Sequence, residues 1–275
     1  MITRRTFLFA PLALAFPQST ESLTAGFVLL YHLRFADARA IFIAWQRSHP
    51  NDPMGFSAEA ASHLFEEFEQ HGVLTTAFFL DDDLLLGGIK DTPNAARTRA
   101  FEQANERARS LSDSQLKGDP QQSNALLART LSAGMLADYD SIIAKEQLAS
   151  LRQIRAAEGF AERLLAVAPQ IGDAYMALGA ANYILACLPS YKRAVLWFGG
   201  MQGSKPRGME QLARAAKDGA YLGPYAKILL AFAYLREKRG LDAQRLMVEL
   251  TTAFPDSPLF ARERANIDRI VTKLG

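Results

Sequence analysis

The stretch Gly223–Pro258, GPYAKILLAFAYLREKRGLDAQRLMVELTTAFPDSP, decides the fold. Its first half, Tyr225–Leu235, is apolar nearly all round, the pattern of a helix enclosed by neighbours. A break follows at Lys238–Gly240. The second half sets Ala243, Met247, Leu250 and Phe254 at i, i+4, i+7 and i+11, one face of a 3.6-residue period, with Arg245, Glu249 and Thr252 elsewhere on the surface. Small residues such as Ala231 and Ala243 let two helices approach closely, and Pro255 stops the second. The stretch predicts one helix–turn–helix hairpin.

Its spacing serves as a ruler for the rest of the chain. Ala243 and Pro255 lie twelve residues apart, as do Ala38 and Pro50, and Ala157 and Pro169. Each interval ends an amphipathic pattern. Pro50-Asn51-Asp52-Pro53 matches Pro255-Asp256-Ser257-Pro258, a turn followed by a helix start. After Pro169, Gly172-Asp173 predicts a turn with Asp173 as N-cap of the next helix.

The hairpin resembles the tetratricopeptide repeat, whose pattern runs aromatic-x-x-Leu-Gly-x-x-Tyr, then Ala-x-x-x-Phe, then Pro. Leu230-Ala231-x-x-Tyr234, Ala243-x-x-x-Met247 and Pro255 match it, while Lys227 replaces the aromatic, Ala231 the Gly and Met247 the Phe. Tyr175-x-x-Leu178-Gly179 carries the front half in nearly ideal form. With Asn182-Tyr183, Leu188-Pro189, Lys192 and Arg207-Gly208, the stretch Asp173–Pro258 is similar to a divergent TPR-like group. That group includes bacterial exported proteins and the inclusion-body-clearance proteins of the mitochondrial outer membrane. The resemblance implies a non-enzymatic helical scaffold and supplies no ligand.

The other segments fit an all-α chain. Helices are expected over about Leu23–Leu33, over the segment carrying Ala38, Phe42 and Trp45, and over Phe56–Gln70 with Phe65 and Phe68 inward. Val73–Leu86, interrupted by Asp81-Asp82-Asp83, has no clear assignment. Asp91-Thr92-Pro93 opens a helix to about Leu111, and Asp119-Pro120 opens another to about Asp138. A long helical stretch then runs to Ala168. The charge-rich end, about Leu259–Leu274 with Arg262, Glu263, Arg264, Asp268 and Arg269, reads as a terminal cap with a solvated outer face. The expectation is a right-handed helical-hairpin solenoid of TPR-like repeats with about ten to twelve helices, a single repeat domain over 23–275.

Composition agrees. Of 275 residues, 49% are hydrophobic and 22% charged, which excludes wholesale disorder. Thr3-Arg4-Arg5-Thr6-Phe7-Leu8, the apolar run to Phe16 and Ala13-Leu14-Ala15 read as an export signal over 1–15, with a spacer over 16–22. The paired arginines suit the twin-arginine route or a general secretory one. The apolar run is shorter than the ~20 residues a membrane span needs, so no stable transmembrane anchor is expected. Removing Arg4 and Arg5 takes the formal charge from +2 to zero, and no nucleic-acid partner is expected of so neutral a chain. The expected location is the periplasm or outside the cell.

Candidate chemistry is sparse. Cys187, the sole cysteine, sits in an apolar context and reads as core packing rather than a reactive thiol. His63 with Glu59 and Glu67 at i−4 and i+4 suggests a metal face, but no second ligand-bearing helix is apparent, and an exposed helix face is preferred. Asp81–Asp83 reads as an acidic turn or helix start. Hydrolase elbows, zinc spacings, dinucleotide fingerprints and phosphate loops are absent, so no catalytic residue, metal or cofactor is assigned. The departure from the repeat lies in an irregular insertion, Cys187–Gly208, where Tyr191, Trp197 and Phe198 interleave with Lys192, Arg193, Lys205 and Arg207. Two readings stand: a binding surface, whether a partner hot spot, a grip on phosphate groups or a membrane-surface contact, or aromatics filling a gap between helices while the cations are solvated. For function, a scaffold binding a protein or peptide on its concave face comes first. A carrier of a small apolar or lipid-like ligand, held between helices such as Val73–Leu86 and Leu188–Phe198, and a helical cell-envelope hydrolase are the alternatives. A shallow groove favours the scaffold, a closed apolar pocket of a few hundred Å³ the carrier.

Overall fold

The computed structural model describes residues 23–198 and 200–274; the expected leader and spacer lie outside them. The architecture is all-α, with no strand among the described residues. The helices are α1 (Leu23–Tyr31), α2 (Phe35–Ser48), α3 (Pro53–Gln70), α4 (Thr76–Leu80), α5 (Asp82–Gly87), α6 (Ala95–Gly118) and α7 (Ser123–Asp138). After a π-helical turn at Tyr139–Ile143 come α8 (Gln147–Val167), α9 (Ala174–Cys187), α10 (Ser190–Phe198), α11 (Lys205–Asp218), α12 (Gly223–Arg236), α13 (Gly240–Ala253) and α14 (Pro258–Leu274). These fourteen α-helices exceed the expected number because the unassigned Val73–Leu86 segment holds α4 and α5, and the insertion holds α10.

The repeat ruler has a structural cause. Ala38, Ala157 and Ala243 are all buried, and α2, α8 and α13 each end two residues before their proline. The hairpin turn itself recurs. Leu33 and Lys238, five residues before Ala38 and Ala243, both take left-handed φ values, 57° and 59°. The next residue donates its backbone N–H five residues back, Arg34 to Leu29 O and Arg239 to Tyr234 O. Each arginine Nε then bonds the aspartate three residues on, Asp37 or Asp242, at 2.8 Å. Arg-x-x-Asp-Ala is thus the turn signature, a match beyond the alanine–proline interval.

Helices pack on their sequence neighbours from α1 to α3, on through α6 to α9, and through α11 to α14, as in a solenoid. Contacts of α1 with α3, α3 with α7 and α7 with α9 line these up as an inner layer, with α2, α6 and α8 outside. Inner helices meet neighbours on most sides, which is why α9 and α12 are apolar nearly all round. Gly179 and Gly208 mark the α9–α11 crossing. A Cβ at Gly179 would lie 2.8 Å from the Leu212 nitrogen, and one at Gly208 2.6 Å from the Tyr183 nitrogen. Backbone meets backbone there, so only glycine allows the approach.

The two ends of the solenoid also meet. Tyr31 of α1 packs on Phe254 and Phe260, its hydroxyl donates to Tyr221 O at 2.7 Å, and Ser257 Oγ donates to Tyr31 O. Phe65 of α3 meets Tyr225 of α12 at 4.8 Å. The short α4 packs on α12 and α14. Glu263, fully buried, accepts from the backbone N–H and hydroxyl of Thr76, both at 2.7 Å, and Arg262 binds Glu69 through two nitrogens. The expected solvated cap is therefore corrected: the charges at Arg262 and Glu263 fasten α14 to the front of the chain. The first and last helices of the solenoid are thereby brought into contact.

Two further expectations change. The long helix leading to Ala168 is interrupted by the π turn and by Lys145 at φ 60°. Asp173 caps nothing in its own helix; its carboxylate accepts the backbone N–H groups of Ala220, Tyr221 and Leu222 at 2.9, 3.0 and 2.7 Å. It therefore pins the α11–α12 turn to the start of α9.

Candidate functional site

A cavity of about 470 Å³ lies between the inner helices. Leu64 and Phe65 of α3, Leu131 and Met135 of α7, Ala177, Ala180 and Ile184 of α9, and Leu229 of α12 make most of its wall apolar. Leu148 at the start of α8 and Tyr191 on α10 also line it, yet are 77% and 67% exposed, so the cavity meets solvent between these two helices. Helix α10 shares no extensive packing interface with another helix among the described residues.

Where α7 ends against this cavity stands Asp138. Its side chain is half-buried and lines the cavity, and its carboxyl has no hydrogen-bond or ion-pair partner among the described residues. Burial raises its pKa to about 7, because an unpaired charge is poorly solvated in apolar surroundings. Its charge and burial together push the Tyr225 phenol well above the usual tyrosine range. Ser57 of α3, 1% exposed, lines the same cavity with a hydroxyl that has no partner. The π turn after Asp138 is held from outside: Ile142 O accepts from Ile89 N–H at 2.9 Å, and Gly88, at φ 75°, lies so close that a Cβ would be 2.3 Å from that oxygen. π turns gather at functional sites because they re-aim side chains within a helix.

The structure divides the insertion residues. Tyr191 and Lys192 line the cavity, and Trp197 is 57% exposed on the same short helix. Arg193 donates to Ala186 O at 3.0 Å. The Phe198 side chain lies outside the described set. Lys205 and Arg207 belong to the first turn of α11: Lys205 pairs with Glu237 at 2.7 Å, and Ser204 Oγ caps the Arg207 N–H. The insertion holds the short helix α10 and a non-helical stretch over 201–204 before α11, and its cations are divided between the two helices.

The remaining candidates resolve as structure. His63 is not on an exposed face. Its side chain is 14% exposed, and burial together with the Arg39 and Arg97 charges lowers its pKa to about 4. Glu67 bonds His71, Arg97 and the Asn94 N–H, tying α3 to α6. Asp81 caps α5 by accepting from Asp83 and Leu84 N–H, while Asp82 pairs with Arg236 of α12. Cys187 is half-buried beside Tyr183 and Arg236, and burial pushes its thiol up, away from the nucleophilic thiolate.

Sequence reasoning missed Asp138, Ser57, Leu148 and Tyr225. Asp138 reads as an ordinary polar helix end, and nothing local says that the end faces inward. The repeated hairpins, recurring turn and solenoid packing make this an all-α helical-repeat protein. Among solved structures, a thermophilic TPR protein from Thermus thermophilus aligns over 90% of this chain and 98% of its own, with a TM-score of 0.49 and 13% identity. No protein-family model and no curated protein sequence matches the chain. No described helix is long and apolar enough to cross a membrane.

Proposed function

We propose that this protein is a binding protein that takes an apolar small molecule into the cavity between its inner helices. The observation carrying this reading is the apolar cavity of about 470 Å³, within the ~300–1,000 Å³ range of small-molecule sites. Tyr191 and Lys192 on α10 line the mouth through which the ligand passes, with Trp197 exposed on the same helix. Binding, not catalysis, is the activity assigned to it. Arg4, Arg5 and the apolar run behind them support action in the periplasm or outside the cell, with the mature chain beginning near Phe16. Mass spectrometry of purified periplasmic material tests that start, and retention of Met1 or Ile2 would overturn it.

Uptake is tested with N-phenyl-1-naphthylamine, a neutral apolar fluorophore. Saturable binding of one probe per chain is expected, abolished by Ala180→Phe, which fills the cavity from α9. Absent uptake, or uptake indifferent to that substitution in a folded variant, contradicts the reading. A second reading, capture of a protein or peptide partner, is favoured by exposed Leu148 and Tyr191 at the cavity mouth and by Trp197, exposed on the same helix as Tyr191. Crosslinking capture from the native envelope that survives Ala180→Phe, but is lost in Trp197→Ala, would favour it.

A further inference from the structure

We infer that the ligand of this cavity carries a protonated amine, recognised by the carboxyl of Asp138 while its apolar body fills the space between the inner helices. The inference rests on the small-molecule reading above and names the chemistry of its ligand. A half-buried carboxyl that faces an apolar cavity without a donor is poorly solvated, and a bound group supplying charge and N–H donors offsets that cost. The other polar groups lining the cavity leave that role open. Tyr225 on α12 and Ser57 on α3 are neutral. Asp173 at the start of α9 is spent on three backbone N–H groups. Among the described residues, the one cation lining the cavity is Lys192, exposed on α10 at the mouth.

A carboxylate ligand would therefore meet a second acid inside, whereas an ammonium finds an acceptor with the phenol of Tyr225 close enough to feel the same charge. The raised pKa of Asp138 gives the binding a proton signature. In the empty protein the carboxyl is partly protonated near neutral pH, and an ammonium beside it restores the ionised form, so binding releases protons. Below about pH 5 Asp138 holds its proton and the charge preference fades.

The test compares octylamine, octan-1-ol and octanoate on the full chain, by displacement of N-phenyl-1-naphthylamine and by calorimetry in buffers of different ionisation enthalpy. Octylamine is expected to bind about tenfold or more tighter than octan-1-ol at pH 7.5, the scale of a hydrogen bond to a charged group. Proton release should accompany it. Asp138→Asn should keep octan-1-ol binding while losing both the preference and the proton release. Lowering the pH of the unaltered protein to 5 should erode the preference without any substitution. Equal affinity for amine and alcohol, or an amine preference surviving Asp138→Asn, overturns the inference and leaves uptake of apolar molecules standing. Tighter binding of octanoate, lost in Lys192→Ala, also overturns it and puts the head group at the mouth. If none of the three displaces the fluorophore, the cavity reading itself fails.

Discussion

Asp173 and Asp138 both reach the cavity, and their partners separate their roles. Asp173 satisfies three backbone N–H groups that no other acceptor reaches. Asp173→Ala orphans them; the Leu222 N–H is buried, at roughly 1–3 kcal/mol, and the part-buried Ala220 and Tyr221 donors add less, so the loss should be about 2–3 kcal/mol, read as a lowered urea midpoint. Asp138 behaves oppositely. Its folded pKa, about 7, lies above the usual carboxylate value, so the folded state holds its proton more tightly. The associated stability is fully present below about pH 4 and is lost as pH rises through about 7. His63, lowered to about 4, has the reverse slope: its contribution is present above about pH 6.5 and fades as pH falls toward 4. The two oppose each other between those limits, so a difference measurement isolates Asp138. Asp138→Asn should melt higher than the parent at pH 8 and no higher at pH 4, with each kcal/mol appearing as roughly 2–4 °C.

Among the elements, the α9–α11 pair and α10 are opposites. The first is backbone packed on backbone, with Gly179 and Gly208 at the crossing. Gly179→Ala has nowhere to put its methyl except by parting the helices, and should cost about 1–3 kcal/mol in denaturant titration. These are the glycines of Leu178-Gly179 and Arg207-Gly208, so the residues carrying the TPR-like resemblance are the ones this contact demands. Helix α10 packs on little. Trp197→Ala should leave helical circular dichroism and melting temperature nearly unchanged while weakening fluorophore uptake several-fold. A collapse of stability instead would assign Trp197 to the core. α4 and α5 resisted sequence reading because each is a turn or two long, too short for a period to show. Their caps, Thr75 and Asp81, are ordinary turn residues until seen in place.

For the whole molecule, closure is the governing event. Glu263 lies fully buried between Thr76 and Arg262, and Arg262 reaches Glu69, so one short chain of polar contacts joins the last helix to α3 and α4. Glu263→Ala leaves the Thr76 donors and part of Arg262 without partners inside the protein. A cost of about 3 kcal/mol is expected, the scale of breaking a buried pair by removing one member. Amide exchange should show where it falls, with protection lost at 76–80 before the paired helices α7–α8 and α9–α11. Equal loss everywhere would mean that the two ends part only on global unfolding.

The hairpins, their turns and the buried faces were legible in the sequence, because each depends on residues within one helix or one turn: the twelve-residue alanine-to-proline interval, the 3.6-residue period, the break at Lys238–Gly240. The cavity was not. Whether an apolar inner face meets a neighbour, a partner or an empty space depends on how many repeats stack and how far each rotates on the last, a sum of small angles that no local pattern records. The same sum brings Glu263 to Thr76 across 187 residues and turns the Asp138 end of α7 inward. Local chemistry therefore determined that this chain is a stack of helical hairpins, and the way that stack curves until its ends meet decided that an apolar cavity lies between the inner helices.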